Sequence, residues 1–518
     1  MAKEYSPTFT HEIRLKTNQY QTRKVMIKFR ALRELYNTVL GEMLKRNQQM
    51  LNDTRYQEAC KAYRKDKSNK ENRRTFDALQ AEYKLNKGNF QTLATSIKNK
   101  TYMSNHLDAH TPQVISDRAY RAYIEWRMGK RGKPRFKSWK YGIRSIQGKA
   151  NSCVYMTPKG KIKWGKLLFD VCYDKKDTYG VQAHALNSPI KFCRIVHRPI
   201  KGKDVFYVQL ILEGTALVKS NHIVKKGVKV GLDIGVSTIA AVSKDKALLI
   251  PLCQSLEPIN KALKRVQRKM NRSQRSSNPK NYHEDRWVKK NKHPTLKKGA
   301  VKKGAKRWMF SKTYQKDLAS LKELHRKQKD TRQFLHNTLA NEVIALGNHL
   351  HIEKNSYKAW QKGWFGKTIG FRAPSNFVQT LQRKALKTGG EARDINAWQA
   401  KLSQSCHVCH GFHKKTLKER THTCHGKPIA QRDLYSALLA LYYDEDKINY
   451  LQVSEHWDSL DTVLKDAVLV LEKSQISGAW VPECLIPRQI EKRDSIQTSY
   501  PIKSKGCSEF EQPTFSQR

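Results

Sequence analysis

The chain has 518 residues, with 100 Lys and Arg against 45 Asp and Glu, giving a formal net charge of +55. So much positive charge repels itself unless a polyanion neutralises it, and phosphate backbones are the natural polyanion. No apolar run approaches the ~20 residues of a membrane span, and Met1-Ala2-Lys3-Glu4-Tyr5 has no signal-peptide core, so a cytoplasmic protein with no membrane partner is expected.

In chain order, the residues around Glu12 to Arg14 read as a first strand. From Val25 to about Leu51, Met26, Phe29, Leu32, Tyr36, Val39, Leu40, Met43 and Leu44 fall mostly three or four apart, which predicts an amphipathic helix. Polar helical stretches continue to about Trp126, until Gly129 and Gly132-Lys133-Pro134 break them. Arg121, Trp126, Arg127 and Arg131 belong to a stretch in which cations alternate with rings as far as Trp139, Lys140 and Tyr141. Such alternation suits nucleic acid, because cations hold phosphates while rings stack on unpaired bases. Between Ile146 and Glu213 the texture becomes β, at Ser152 to Met156, Leu167 to Val171 and Val205 to Leu212. A small antiparallel barrel or sheet with a helical insertion is expected.

The second half begins with a buried strand at Val228 to Gly235, a hairpin partner at Ser237 to Ser243 and a third strand at Ala247 to Ile250. A basic helical region then runs from about Glu257 to Asn337; between Glu257 and Arg332 it holds 25 Lys and Arg against 6 Asp and Glu. Its candidate phosphate contacts are Lys264, Arg265, Arg268, Lys269 and Arg272, and its middle, Asn278 to Lys312, reads as a loop or mobile arm. A strand follows at His349 to Glu353. The tail from Tyr443 holds 13 acidic and 9 basic residues, with one helix expected around Trp457 to Leu471 and disorder after Pro482.

Three acids end recognisable phrases: Asp233 in Gly231-Leu232-Asp233-Ile234-Gly235, Glu353 in His351-Ile352-Glu353, and Asp433 in Gln431-Arg432-Asp433. Carboxylates delivered by two strands and a helix start are what a two-metal phosphodiesterase needs. Two Mg²⁺ held ~4 Å apart by hard oxygen ligands clamp the attacking and leaving oxygens of a phosphate. The cysteines carry the most specific local signal. Cys406-His407-Val408-Cys409 is a Cys-x₂-Cys knuckle, and fourteen residues separate Cys409 from Cys424. Without a secretion signal or a thioredoxin-like context, that spacing indicates one structural Zn²⁺ rather than redox chemistry. His422, two residues before Cys424 in a strand, is the preferred fourth ligand; His425, or a three-ligand site, is the alternative.

Gly231-Leu232-Asp233-Ile234-Gly235, Ile352-Glu353, Ser403-Gln404-x-Cys406-x₂-Cys409, Arg420-x₃-Cys424 and Arg432-Asp433, in this order, resemble the OrfB/TnpB family. These are transposon-encoded RNA-guided nucleases similar to compact type V CRISPR effectors. The resemblance implies a multidomain α+β and α/β protein. Residues 1–220 would be an N-terminal β-barrel (wedge) with a helical recognition insertion at about 25–145. An RNase H-like RuvC nuclease would follow at 221–402, with a zinc ribbon inserted at 403–428, its final helix at 429–442 and an extension at 443–518. It implies Asp233, Glu353 and Asp433 as a Mg²⁺-dependent catalytic triad, with guide RNA and double-stranded DNA as partners. Gln431 and Tyr435 stand where the family has Asp and Asn, Lys354 replaces an acid, and the fourth zinc cysteine is missing. A silent RNA-guided DNA-binding repressor and a strand-transferring transposase are the alternative readings.

Overall fold

The computed structural model describes residues 6–65, 70–138, 142–148, 153–290, 293–416 and 419–476. Trp139, Lys140, Tyr141, Ser152 and the tail beyond 476 lie outside the described residues.

The first strand, β1 (Thr8–Lys16), leads into α1 (Gln19–Asn52). Asn18 caps that helix: its side chain accepts the Gln21 amide while the Gln21 side chain accepts the Asn18 amide. The inward face of α1 carries Val25, Phe29, Leu32, Tyr36, Val39, Leu40 and Met43, all buried. This is the spacing that predicted the helix. Helices α2 (Thr54–Lys65), α3 (Lys70–Glu82), α4 (Lys87–Asn99) and α5 (Thr111–Arg127) complete a helical insertion. Strands β2 (Ser145–Gln147), β3 (Val154–Met156), β4 (Ile162–Trp164) and β5 (Leu167–Cys172) follow, then α6 (Val181–Asn187), β6 (Ile190–Ile200) and β7 (Lys203–Glu213). They join β1 in a seven-stranded sheet ordered β2-β6-β7-β1-β5-β4-β3, antiparallel throughout. Strand β3 packs back against β6, so the sheet is curled into a half-barrel. Strand β6 is not evident in the sequence because Lys191, Arg194 and Arg198 interrupt its apolar positions, leaving only Cys193, Ile195 and His197 buried.

The second sheet is built from β8 (Lys229–Ile234), β9 (Thr238–Val242) and β10 (Ala247–Pro251). After α7 (Glu257–Ser277) the expected loop contains an antiparallel ladder, β11 (Arg286–Lys290) with β12 (His293–Lys297). Among the described residues neither face of that ladder is buried, so hydrophobic alternation could not reveal it. The long α8 (Lys312–Leu346) returns to β13 (His349–Glu353). Next come α9 (Tyr357–Lys362), α10 (Gly366–Arg372), α11 (Pro374–Lys387), β14 (Glu391–Ile395) and α12 (Ala397–Ala400). A hairpin of β15 (Thr421–Cys424) and β16 (Lys427–Gln431) leads to α13 (Arg432–Leu441), α14 (Tyr450–Glu455) and α15 (Trp457–Ile476). The sheet runs β10-β9-β8-β13-β14, with β10, β9 and β8 antiparallel and β13 parallel to both β8 and β14.

Its two faces bury different cores, as period-two strands require. Val230, Leu232, Ile234, Ile239, Ala241, Leu350 and Ile352 pack against Val343 of α8 and Phe377 and Leu381 of α11. Ala240, Val242 and Leu249 face the other way, against α13 and against Leu460, Leu464, Ala467 and Leu471 of α15. The helix expected in the tail is therefore part of this core. Each such leucine, fully buried, contributes about 1.5–3 kcal/mol.

Candidate functional site

The register of the parallel pair positions two of the acids. Ile352 of β13 lies opposite Leu232 of β8, and both face the α8–α11 core. The next residues, Glu353 and Asp233, therefore project side by side from the opposite face. Helix α13 covers that face. Gly231 receives it directly: a Cβ there would overlap the Ala437 carbonyl oxygen and the Leu441 amide nitrogen. His351 Nδ1 bonds to the Ala440 carbonyl at 3.0 Å. Asp433, Ala437 and Leu441 are four apart and share one side of the helix. With Ala437 and Leu441 seated on Gly231, Asp433 in the first turn lies toward Asp233, two residues further along β8. Four helical residues advance ~6 Å and two strand residues ~6.6 Å, so the steps match.

The electrostatics agree with this convergence. Asp233 is pushed well above the ordinary carboxylate range, first by burial, then by the Asp433 and Glu353 charges, with Arg432 opposing. Glu353 is raised by burial and opposed by Asn355, whose Nδ2 donates to Glu353 Oε2 at 3.2 Å. The Thr238 hydroxyl donates to Asp433 Oδ2 at 3.4 Å. The Tyr357 hydroxyl donates to the Ile234 carbonyl at 3.1 Å, and burial followed by the Asp233 charge raises its phenol. Thr238, Asn355 and Tyr357 were not selected from the sequence. Only the short spacing of Asn355 and Tyr357 from Glu353 hints at their place.

The cysteines form a second centre. The ligand atoms of Cys406, Cys409, His413 and Cys424 all lie within 4.8 Å of one another. Cys409 Sγ is 3.0 Å from His413 Nε2, and that hydrogen bond, with the Gly411 amide, pulls the Cys409 thiol down to about 6. Burial raises Cys424 to about 12, with Cys409 and Cys406 adding to it. Crowded thiols of this kind fit a Zn²⁺, and a Cys₃His set is a structural zinc donor set. The fourth ligand is a correction: His413 occupies that place, not His422 or His425. His422 and Cys424 are both buried on one side of β15, as alternation requires, and the register shift falls on β16 at Ile429, but His422 is not among the gathered ligand atoms. The His422 ring instead stacks on Tyr435 at 4.2 Å between centroids, and its Nδ1 is 2.5 Å from Lys415 Nζ. Burial, then Lys415, lowers His422 to about 3. His413 follows Cys409 by four residues, a signal present in the knuckle itself.

The departures at Gln431 and Tyr435 have local reasons. Gln431 caps α13, its Oε1 accepting the Leu434 amide at 2.8 Å. Tyr435 is wholly buried, and its hydroxyl accepts the His407 amide at 2.9 Å and meets His407 Nδ1 at 2.7 Å. Tyr435 thereby ties the cysteine knuckle to the helix that carries Asp433.

Among the nucleic-acid candidates, Lys264, Arg265, Arg268, Lys269 and Arg272 are all exposed on α7, while Leu263 and Met270 face inward. Arg121 is exposed on α5. The other three are partly engaged within the protein. Trp126 packs against Tyr123, Arg127 donates to the Tyr56 hydroxyl at 2.7 Å, and Arg131 pairs with Glu125 at 3.2 Å.

No helix among the described residues is long and apolar enough to cross a membrane. No family model and no curated protein matches the chain. Among solved structures it is similar to the protein of a Cas12f1–sgRNA–target DNA complex, at 13% identity and a TM-score of 0.43, covering 84% of this chain and 98% of that one. It is also similar to the protein of a CRISPR-Cas12f ternary complex, at 12% identity and a TM-score of 0.28, covering 80% and 81%.

Proposed function

We propose that the chain is an RNA-guided DNA endonuclease of a transposable element, cutting with a RuvC-type site formed by Asp233, Glu353 and Asp433. The observation that carries this reading is that Asp433 and Glu353 both raise the proton affinity of Asp233. Three carboxyls in one field, with Arg432 as the opposing charge at Asp233, are a site a hard divalent cation would relieve, and Mg²⁺ prefers such oxygens. When bound there, Mg²⁺ supplies an activated water and stabilises the leaving 3′-oxygen. The protein's own contribution is rigid placement. Asn355 orients Glu353, Thr238 holds Asp433, and Tyr357 fixes the β8 end through Ile234. The sheet order β10-β9-β8-β13-β14, a three-strand meander followed by parallel strands, suits an RNase H-like core.

The choice of nucleic acids rests on the motif order and on the +55 charge. Guide RNA would select the target by base pairing, with the protein reading duplex shape and a short flanking motif. Protein purified in low salt should carry RNA that high salt removes. Sequencing that RNA and presenting the complementary duplex DNA with Mg²⁺ tests the reading. Cleavage confined to the complementary duplex supports it; RNA-free protein, or cleavage indifferent to the RNA, rejects guidance.

A further inference from the structure

The segment between β13 and α11 forms a loop closed at both ends on the turn that follows Asp233. At one end the Tyr357 hydroxyl donates to the Ile234 carbonyl at 3.1 Å. At the other, Arg372 Nη1 donates to the Ser237 carbonyl at 3.0 Å. Ile234 and Ser237 bracket the β8–β9 turn, so the segment is anchored at the strand end that carries Asp233, with Tyr357 and Phe371 packed on the α8–α11 side of the sheet. The link between those helices, Gly363-Trp364-Phe365, carries no packing to match. Trp364 is 97% exposed and Phe365 46%. A tryptophan left almost wholly in water forfeits its burial energy, and large rings on rigid, solvated rims are binding surfaces. The link is short and confined: a Cβ at Gly366 would overlap the Gln361 carbonyl oxygen, so the turn is tightly folded. Lys358, Lys362 and Lys367 surround it, all exposed.

The geometry points to Trp364 as a stacking platform for an unpaired nucleobase beside the scissile phosphate, with Lys358, Lys362 and Lys367 holding the flanking phosphates. This assignment rests on the nuclease reading and narrows it. The base that meets the indole is unstacked from its neighbours, because a base inside a continuous duplex has both faces covered by the adjacent pairs. Stacking of this kind tolerates any base.

The test uses the full chain in Ca²⁺ without Mg²⁺ and a 5-iododeoxyuridine-substituted single-stranded 12-mer, photocrosslinked and mapped by mass spectrometry. The assignment predicts a crosslink in the tryptic peptide Gly363–Lys367, lost in Trp364→Ala. In Mg²⁺, Trp364→Ala should raise KM for single strands about tenfold with kcat little changed, and Trp364→Phe should stay within about threefold of wild type. A wild-type chain that crosslinks elsewhere but not in that peptide overturns the platform, as does Trp364→Ala with unchanged KM. Either result leaves Mg²⁺-dependent cleavage intact. Conversely, a chain that crosslinks at Trp364 but never cuts retains the platform and loses the nuclease.

Discussion

Gly231 lies directly beneath Ala437, so close that its missing side chain is what lets α13 rest on β8. A Cβ on Gly231 would overlap the Ala437 carbonyl oxygen and come within 2.9 Å of the Leu441 Cα. Both obstacles are backbone and cannot rotate away. Gly231→Ala should therefore destabilise the protein by about 3 kcal/mol or more and lower cleavage by displacing Asp433 from Asp233. Thermal unfolding and a cleavage assay check both effects; a variant with wild-type stability would remove the basis for the α13 placement.

The zinc centre makes a sharper choice among histidines. The chain should bind ~1 Zn²⁺, as a closed Cys₃His site does. His413→Ala should reduce zinc occupancy, whereas His422→Ala should keep the metal and lose only the stacking on Tyr435. Metal analysis of the two purified variants decides between them. Cys406→Ser should also slow cleavage indirectly, since Tyr435 links the knuckle to the Asp433 helix.

Much of this was legible in the sequence. The strand bearing Asp233 and the helix after Gln431 follow from dense apolar runs, and α1 follows from its three-and-four spacing. The position of Asp233 and Glu353 on one sheet face follows from the β8–β13 register, which no local pattern encodes, and Asp433 reaches them through the packing of α13 on Gly231. Strand β6 and the β11–β12 ladder were hidden because their charges leave no clean alternation, whereas His413 was legible in its spacing of four residues from Cys409 and was passed over for His422, which shares a strand face with Cys424. The exposed Trp364 link was equally hidden, since the contacts that tie its segment to the turn after Asp233 run through Ile234 and Ser237.

The raised carboxyls have a consequence for stability against pH. Asp233 and Glu353 hold protons more tightly when folded than an ordinary carboxyl does. The folded state therefore binds more protons than the unfolded one, and metal-free stability falls as pH rises from the ordinary carboxylate range through the raised values. Asp233→Asn removes that penalty. Its melting temperature without metal should exceed that of wild type at pH 8, with the gap shrinking toward pH 4. Mg²⁺ should raise the wild-type melting temperature and leave Asp233→Asn nearly unmoved. Differential scanning calorimetry at the two pH values, with and without Mg²⁺, reads all of this.

The most direct measurement is Mg²⁺-dependent cleavage by the RNA-loaded protein and its Asp233→Ala, Glu353→Ala and Asp433→Ala variants, with DNA binding measured alongside. Each substitution removes one proposed oxygen ligand yet barely alters a surface of +55 net charge. The account predicts that each variant loses at least ~10³-fold in rate, binds DNA as wild type does, and that chelating Mg²⁺ abolishes wild-type cutting. Wild-type rates in any one variant would contradict the assignment of that acid. Cleavage that survives both the substitutions and the chelator would contradict the site itself.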